Sequence, residues 1–227
     1  MITVAIVDYG LGNLFSVKHA CEQAGIQTFL ASSPQEILSG DAVILPGVGA
    51  FSDAMASLRR LNLIEPLKEI VLSQKPLIGI CLGMQLLMTE SFEFGYHKGL
   101  GIIKGSVVQF ENPIDGFNKL KVPQVGWNRI FKRNEEWDQW TNSLLEGLQD
   151  GEFMYFTHSF YVKLREPNLA LSISRYGNIE FCSSLKYRNV IAFQFHPERS
   201  GRRGLEIYQN LASFIKKDKK VKENANV

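Results

Sequence analysis

The sequence predicts an α/β fold: an open mixed, mainly parallel sheet flanked by helices, with an antiparallel extension in the second half. Roughly the first 90 residues alternate short apolar runs with amphipathic ones, the pattern of parallel strands covered by helices. From Gly99 to Phe131, β-branched stretches separated by turns take over, which suits antiparallel pairing. A chain of 227 residues at 45% hydrophobic content can bury one large core, and no repeat or low-complexity linker divides it.

In order, strands are expected over residues 4–7, 28–30, 42–45 and 77–80. Between the first two, Leu14, Val17, Cys21 and Ala24 recur at three- and four-residue spacing and mark a helix face that stops at Gly25. Ser33-Pro34-Gln35-Glu36 joins a capping box to a proline at the first helical position, so a short helix starts there. A helix-like run spans 82–89. Antiparallel strands are expected over 101–110 and 121–130, a polar segment over 134–148, and strand-like runs over 153–156, 169–175, 179–185 and 190–195. A last helix is expected from about residue 203 to 216. Residues 1–215 are read as one domain and residues 216–227 as a basic, frayed tail, whose five lysines against Asp218 and Glu223 give +3.

With a whole-chain charge of +2, the rest of the molecule carries no nucleic-acid surface. Cysteines at only three scattered positions, 21, 81 and 182, form neither a disulfide framework nor close metal-ligand pairs, which fits a reducing compartment. The start, Ile2-Thr3-Val4-Ala5-Ile6-Val7, lacks a signal peptide's basic region, and no apolar run reaches membrane-spanning length. A soluble cytoplasmic protein is expected.

Chemistry concentrates at Gly79-Ile80-Cys81-Leu82-Gly83, a small-x-nucleophile-x-small turn between an apolar strand and a helix-like run. On so sharp a turn the neighbours must lack bulk, and the N–H groups that follow face any oxyanion formed there. Cys81 is the nucleophile candidate. Of four histidines, His19 and His97 read as surface residues and His158 ends a strand-like run. His196 follows the apolar run Ile191-Ala192-Phe193-Gln194-Phe195, just beyond a strand's carboxyl end, where open α/β sheets bind ligands. Pro197 stiffens the backbone, and Glu198, two residues on, can point the same way as His196 and orient it. An oxyanion would take one N–H from Leu82 and a second from the glycine-bearing turn Gly47-Val48-Gly49.

Gly10-Leu11-Gly12-Asn13 fails as a dinucleotide fingerprint, because Phe15 stands where the third glycine belongs. Neither a cofactor nor a metal is expected, since the four histidines lack ligand spacing.

Together, Gly79-Ile80-Cys81-Leu82-Gly83-Met84-Gln85 and His196-Pro197-Glu198 resemble the class I, or triad-type, glutamine amidotransferases. Five further blocks are similar to the family of glutaminase subunits of imidazole glycerol phosphate synthases: Val7 to Leu14, Pro46 to Phe51, Val125 to Asn128, Tyr155 to Ser159 and Phe195 to Gly201. The resemblance implies a γ-glutamyl thioester on Cys81, proton transfer by His196, and fixation of His196 by Glu198. It implies oxyanion N–H groups from Val48 and Leu82, the Val48 peptide being held unproductive until the partner is loaded. Substrate contacts are implied at Gly47, Gly49, Gln85, His158, Ser159 and Phe160. The implied partner is a (β/α)₈ cyclase subunit that takes up the ammonia in histidine biosynthesis, with Asn13, Gln124, Trp127, Tyr155 and Arg199 as interface candidates. Trp127, Tyr155, Phe156 and Phe160 are expected near the rim of the site.

Two positions depart from the family pattern: Gln124 stands where histidine is common, and Arg199 where lysine is usual. They keep open a paralogous subunit feeding ammonia to a sugar-modifying amidotransferase of surface-polysaccharide synthesis. A stand-alone cysteine hydrolase and a non-catalytic binding module are the alternatives of other classes.

Overall fold

The computed structural model describes residues 2–133 and 140–225, with backbone alone beyond Lys217. Its first half runs β1 (Thr3–Val7), α1 (Leu14–Gln23), β2 (Gln27–Ala31), α2 (Pro34–Ser39), β3 (Ala42–Leu45), α3 (Phe51–Arg60), α4 (Ile64–Leu72), β4 (Leu77–Ile80) and α5 (Leu82–Leu86). There follow β5 (Met88–Ser91), β6 (His97–Lys98), β7 (Ile103–Gln109), β8 (Ile114–Asp115), β9 (Asn118–Lys119), β10 (Gln124–Lys132), β11 (Glu152–His158) and β12 (Phe160–Leu164). The chain closes with β13 (Ala170–Tyr176), β14 (Ile179–Tyr187), β15 (Val190–Phe193) and α6 (Gly201–Ala225).

Nine strands form the main sheet in the order β11-β10-β13-β14-β15-β4-β3-β1-β2. The five from β15 to β2 pair in parallel, and the four from β11 to β14 extend the sheet antiparallel. The mixed sheet read from the sequence is therefore present, with its change of direction at β15. Alternation sorts the parallel strands onto two cores. Ala5, Val7, Val43 and Leu45 face α2 to α5, while Val4, Ile6, Ile44, Ile78 and Ile80 face α1 and α6. The central strands β3, β4 and β15 are buried along their whole length, as their unbroken apolar sequences require.

Local signals account for the helix starts. Asn13 caps α1 by accepting from the Ser16 N–H, and Ser33 and Glu36 close the expected capping box on α2. Ala50 offers α3 no side-chain cap; Glu93, from beyond β5, accepts the Phe51 N–H at 2.6 Å instead.

Four expectations are corrected. The helix over 82–89 stops at Leu86, because the carbonyls of Leu86, Leu87, Met88 and Thr89 are taken by N–H groups from Gly99 to Ile103. The strand over 101–110 leaves the main sheet: β7 pairs in parallel with β5 and antiparallel with β12 in a separate four-stranded sheet, β12-β7-β5-β6. β12 itself is an addition. The last strand ends at Phe193, and the last helix continues through Ala225, its side chains described as far as Lys217. Residues 134–139 of the polar segment lie outside the described residues; beside them Trp140 is buried and donates to the Leu171 carbonyl at 2.8 Å. No described helix is long and apolar enough to cross a membrane.

Candidate active site

The site gathers at the carboxyl ends of β4 and β15. Cys81 follows β4 directly with φ +54° and ψ −109°, a backbone that costs an ordinary residue roughly 1–3 kcal/mol and holds its side chain up off the sheet. Its N–H donates to the Phe193 carbonyl at 2.7 Å, which ties the turn to β15. The flanking glycines leave little room for a side chain at Gly79 and none at Gly83. A Cβ on Gly79 would lie 3.1 Å from the Ala192 Cβ and the Met84 nitrogen, and one on Gly83 would overlap the Leu45 carbonyl.

His196 leaves the sheet just beyond β15 and begins a short turn, Pro197–Arg199. Its Nδ1 lies 2.7 Å from Glu198 Oε1, and since a carboxylate only accepts, Nδ1–H is the donor. Both side chains are buried, and Nε2 has no hydrogen-bond partner among the described residues. The turn is anchored from behind. The His196 N–H donates to the Tyr155 carbonyl, the Tyr155 N–H to Ser200 Oγ and Ser200 Oγ to the His196 carbonyl, while Arg199 lies 4.5 Å from the Tyr155 ring centre.

Burial opposes a charge on His196, but Cys81 and, after it, Glu198 outweigh that cost and push its pKa up to about 10. Beside the sulfur, the His196 imidazole is therefore held in its charged form. Because the folded value lies above the ordinary 6.5, the stabilisation is complete below about 6.5 and is lost as pH rises through about 10. Titration of the His196 Cε1–H by NMR should show a charged ring throughout that window, and Cys81→Ala should move its midpoint down. A wild-type ring that titrates near 6.5 would contradict the pairing.

Beside Cys81 opens a cavity of about 340 Å³, lined by Val48, Gly49, Leu82, Gln85, Glu93, Phe94, Thr157, His158, Ser159 and Phe160 among others. The chain steps from the main sheet to the small one at Ser159, between β11 and β12, which brings His158, Ser159 and Phe160 to the wall. His158 donates from Nδ1 to the Phe160 carbonyl at 2.8 Å, and burial lowers its pKa to about 4, so its ring is neutral. Gln85 donates from Nε2 to the same carbonyl at 2.9 Å and to Gln194 Oε1 at 3.1 Å. Gly47 is wedged under the Tyr9 hydroxyl and Leu82, Tyr9 Oη donates to the Pro46 carbonyl at 2.8 Å, and Gly49 takes φ +103°. Val48 and Leu82 both line the cavity beside Cys81.

Two groups close to Cys81 and the cavity escaped the sequence reading. Glu93 reaches the wall from the loop after β5; burial is the main influence on its carboxyl and raises its pKa. Gln194 is fully buried beside Cys81. Its signal was available, since a lone amide inside the run Ile191 to Phe195 needs a polar partner. Glu93, between two exposed phenylalanines, gave none.

The interface candidates separate by burial. Trp127 is 57% exposed and meets Tyr155 edge-on across the β10–β11 pairing, while Asn13 and Arg199 are also exposed. Gln124 is buried opposite His158, with Oε1 unpartnered among the described residues. Phe156 belongs to the core: it points inward and packs on Phe181 and Phe195. His19 is exposed, and half-buried His97 also lies away from the cavity lining.

A model of the family described as glutamine amidotransferase class-I matches residues 5–213. The chain belongs to that family. Among its relatives, this amidotransferase is 43% identical over 212 residues to the imidazole glycerol phosphate synthase subunit HisH of Sulfurimonas denitrificans, spanning 93% of this chain and 98% of that one. It is 42% identical over 206 residues to the HisH subunit of Aquifex aeolicus, spanning 90% and 93%. Its fold is similar to that of PurLQS from Thermotoga maritima, at a TM-score of 0.69, 18% identity, and coverage of 94% and 99%.

Proposed function

We propose that this amidotransferase chain is the glutaminase subunit of an imidazole glycerol phosphate synthase, with residues 1–215 as its single domain and Cys81, His196 and Glu198 as its catalytic triad. The observation that carries the chemistry is Cys81 on its strained turn, beside the His196–Glu198 pair and at the edge of an amino-acid-sized cavity. Near-full-length likeness to HisH subunits supports the choice of synthase.

In this reading L-glutamine enters with its carboxamide toward Cys81 and its α-ammonium toward the Glu93 carboxylate, while Gln85, His158, Ser159 and Phe160 define the walls. The thiolate attacks the carboxamide carbon, and the N–H groups of Val48 and Leu82 hold the oxyanion. His196 gives its proton to the departing nitrogen, the C–N bond breaks, and ammonia leaves a γ-glutamyl thioester. Water, deprotonated by the now neutral His196, then releases glutamate and restores the thiolate. Glu198 keeps Nδ1 protonated, so Nε2 carries the exchange.

Ammonia calls for an acceptor subunit nearby. Val125, Trp127 and Arg129 on β10, with Phe153 and Tyr155 on β11, share one face of the sheet edge, and all but Tyr155 are exposed. That face adjoins Thr157 and His158 of the cavity wall and supplies aromatic and arginine anchors of the kind that dominate interfaces.

The test mixes the chain with the (β/α)₈ cyclase subunit and its nucleotide substrate. A 1:1 complex forming imidazole glycerol phosphate from glutamine is expected, and Trp127→Ala should weaken assembly roughly 10- to 100-fold. Failure to assemble, with capture of a sugar-modifying amidotransferase instead, would move the assignment to the paralogous reading that Gln124 and Arg199 keep open.

A further inference from the structure

Behind the cavity lies an amide that the mechanism above does not use. Gln194, between β15 and His196, is fully buried, and the surrounding bonds fix which end of its amide is which. Gln85 Nε2 can only donate, and it donates both to the Phe160 carbonyl and to Gln194 Oε1. Gln194 Oε1 is therefore the acceptor. Its NH₂ group is turned the other way and stands 3.8 Å from Cys81 Sγ, with the backbone held by a 2.9 Å bond from its N–H to the Ser183 carbonyl.

We infer that Gln194 is a positioning residue that donates a hydrogen bond to the Cys81 thiolate and holds the sulfur at the cavity edge, linking it through Gln85 to the substrate wall. The inference rests on the reading of Cys81 as the nucleophile. A neutral thiol is a weak acceptor, whereas a thiolate is a charged one, so an N–H aimed at sulfur stabilises the anion preferentially. The donor acts from the main sheet, while the thiol's own long contact, to the Thr157 carbonyl at 4.0 Å, is one in which sulfur donates and which a thiolate would lose. His196, which also favours the anion, acts from the turn beyond it.

The titratable groups around the sulfur set the background. His196 and, behind it, Glu198 lie beyond β15, Tyr9 beyond β1, neutral His158 at the end of β11, and Glu93 beyond β5 on the cavity wall. Burial is the main influence raising both Tyr9 and Glu93, and Cys81 contributes in the same direction at Tyr9. Among these described groups, His196 and Gln194 are placed to oppose the cost of a negative sulfur.

The second link in the chain has a further consequence. Gln85 keeps its bond to the Phe160 carbonyl when Gln194 is changed, so the glutamine wall stays in place. Loss of Gln194 should thus fall on the thiolate rather than on substrate binding.

Gln194→Met removes the donor while keeping nearly the same volume. The experiment measures the rate at which iodoacetamide alkylates Cys81 across pH in the full chain, together with kcat and KM for glutamine in the assembled complex. Burial lifts Cys21 and Cys182 to about 12, which leaves Cys81 as the reacting thiol. We expect the alkylation midpoint to rise by about one pH unit, a roughly tenfold slower reaction below it, with kcat falling similarly and KM changing less than about threefold. A merely structural role would lower the melting temperature and leave that midpoint where it was, and this result would overturn the inference. Should the variant fail to fold, the unmutated chain still decides. The Gln194 side-chain amide proton should move downfield in NMR as the thiol ionises, and a static signal would overturn the inference. Wild-type Cys81 that resists alkylation altogether would instead remove the nucleophile reading on which it depends.

Discussion

Cys81→Ser is expected to lower glutamine hydrolysis by the assembled complex by a factor on the order of 10⁴ or more, while synthesis from added ammonium salt continues. Serine fits the same turn: its hydroxyl is smaller than a thiol, and the φ of +54° is a backbone demand that either residue meets equally. What changes is the ion pair. His196 is held charged chiefly by the sulfur against the cost of burial, and a serine hydroxyl is far too weak an acid to take the thiolate's place. The imidazole then becomes a neutral base that must remove a proton before attack, in a site built around a nucleophile that has already lost one. Ammonia-dependent synthesis isolates the glutaminase step, because the partner's chemistry needs no part of this triad. Glutamine-dependent turnover near the wild-type rate would sink the covalent mechanism.

The second large effect is structural. Gly83→Ala places a methyl group against the Leu45 carbonyl oxygen, where β3 passes the start of α5. Neither side can give easily, since both atoms that meet are backbone or Cβ and Leu45 ends a fully buried strand. Relief requires α5 to lift, and α5 carries both the Leu82 N–H and Gln85. We expect a loss of roughly 3 kcal/mol or more, a melting temperature lower by about 10 °C, and glutaminase activity reduced out of proportion to the folded fraction. Gly25→Ala is the matched control. It carries a backbone strain that Gly83 lacks, φ +73°, but has no neighbour within 4 Å, so it should cost only about 1 kcal/mol and leave activity alone. Equal effects at the two sites, measured by thermal denaturation and glutamine turnover, would refute the steric account of the elbow.

The sequence made legible the parts whose causes are local. The bounds of β3 and β4 follow from uninterrupted apolar runs between turn residues, and the α2 start from its capping box. Cys81, His196 and Glu198 could be singled out because the elbow's glycines and the spacing of the His-Pro-Glu turn are short-range features. What escaped depends on partners far along the chain. The end of α5 at Leu86 is set by N–H groups between Gly99 and Ile103, and apolar residues 86–88 suit a helix or a buried strand equally. The small sheet exists because β12 finds β7 about 50 residues earlier, a pairing no periodicity announces. Whether Phe156 and Tyr155 pack the core or line the rim could not be read from the aromatic run, and alternation along β11 sends one inward and the other outward. Glu93 reaches the cavity through a cap it provides to a helix 42 residues away.

The account also explains why so few polar groups suffice. Cys81 and His196 are nearly buried, the Glu198 carboxylate is shielded, and beside Glu93 the walls offer amides and a neutral ring. In such surroundings each hydrogen bond to a developing charge weighs more than it would in water. The price is strain at one residue, absorbed by the strands on either side.

The covalent intermediate is the most direct test. The full complex, loaded with its nucleotide ligand, would be mixed with glutamine, quenched with acid within a turnover, digested, and the Cys81 peptide weighed by mass spectrometry. The account predicts a γ-glutamyl adduct on Cys81 that is absent without glutamine and lost on treatment with hydroxylamine. Glutamate released at the full rate with Cys81 unmodified at every quench time, or the adduct found on Cys21 or Cys182, would contradict it.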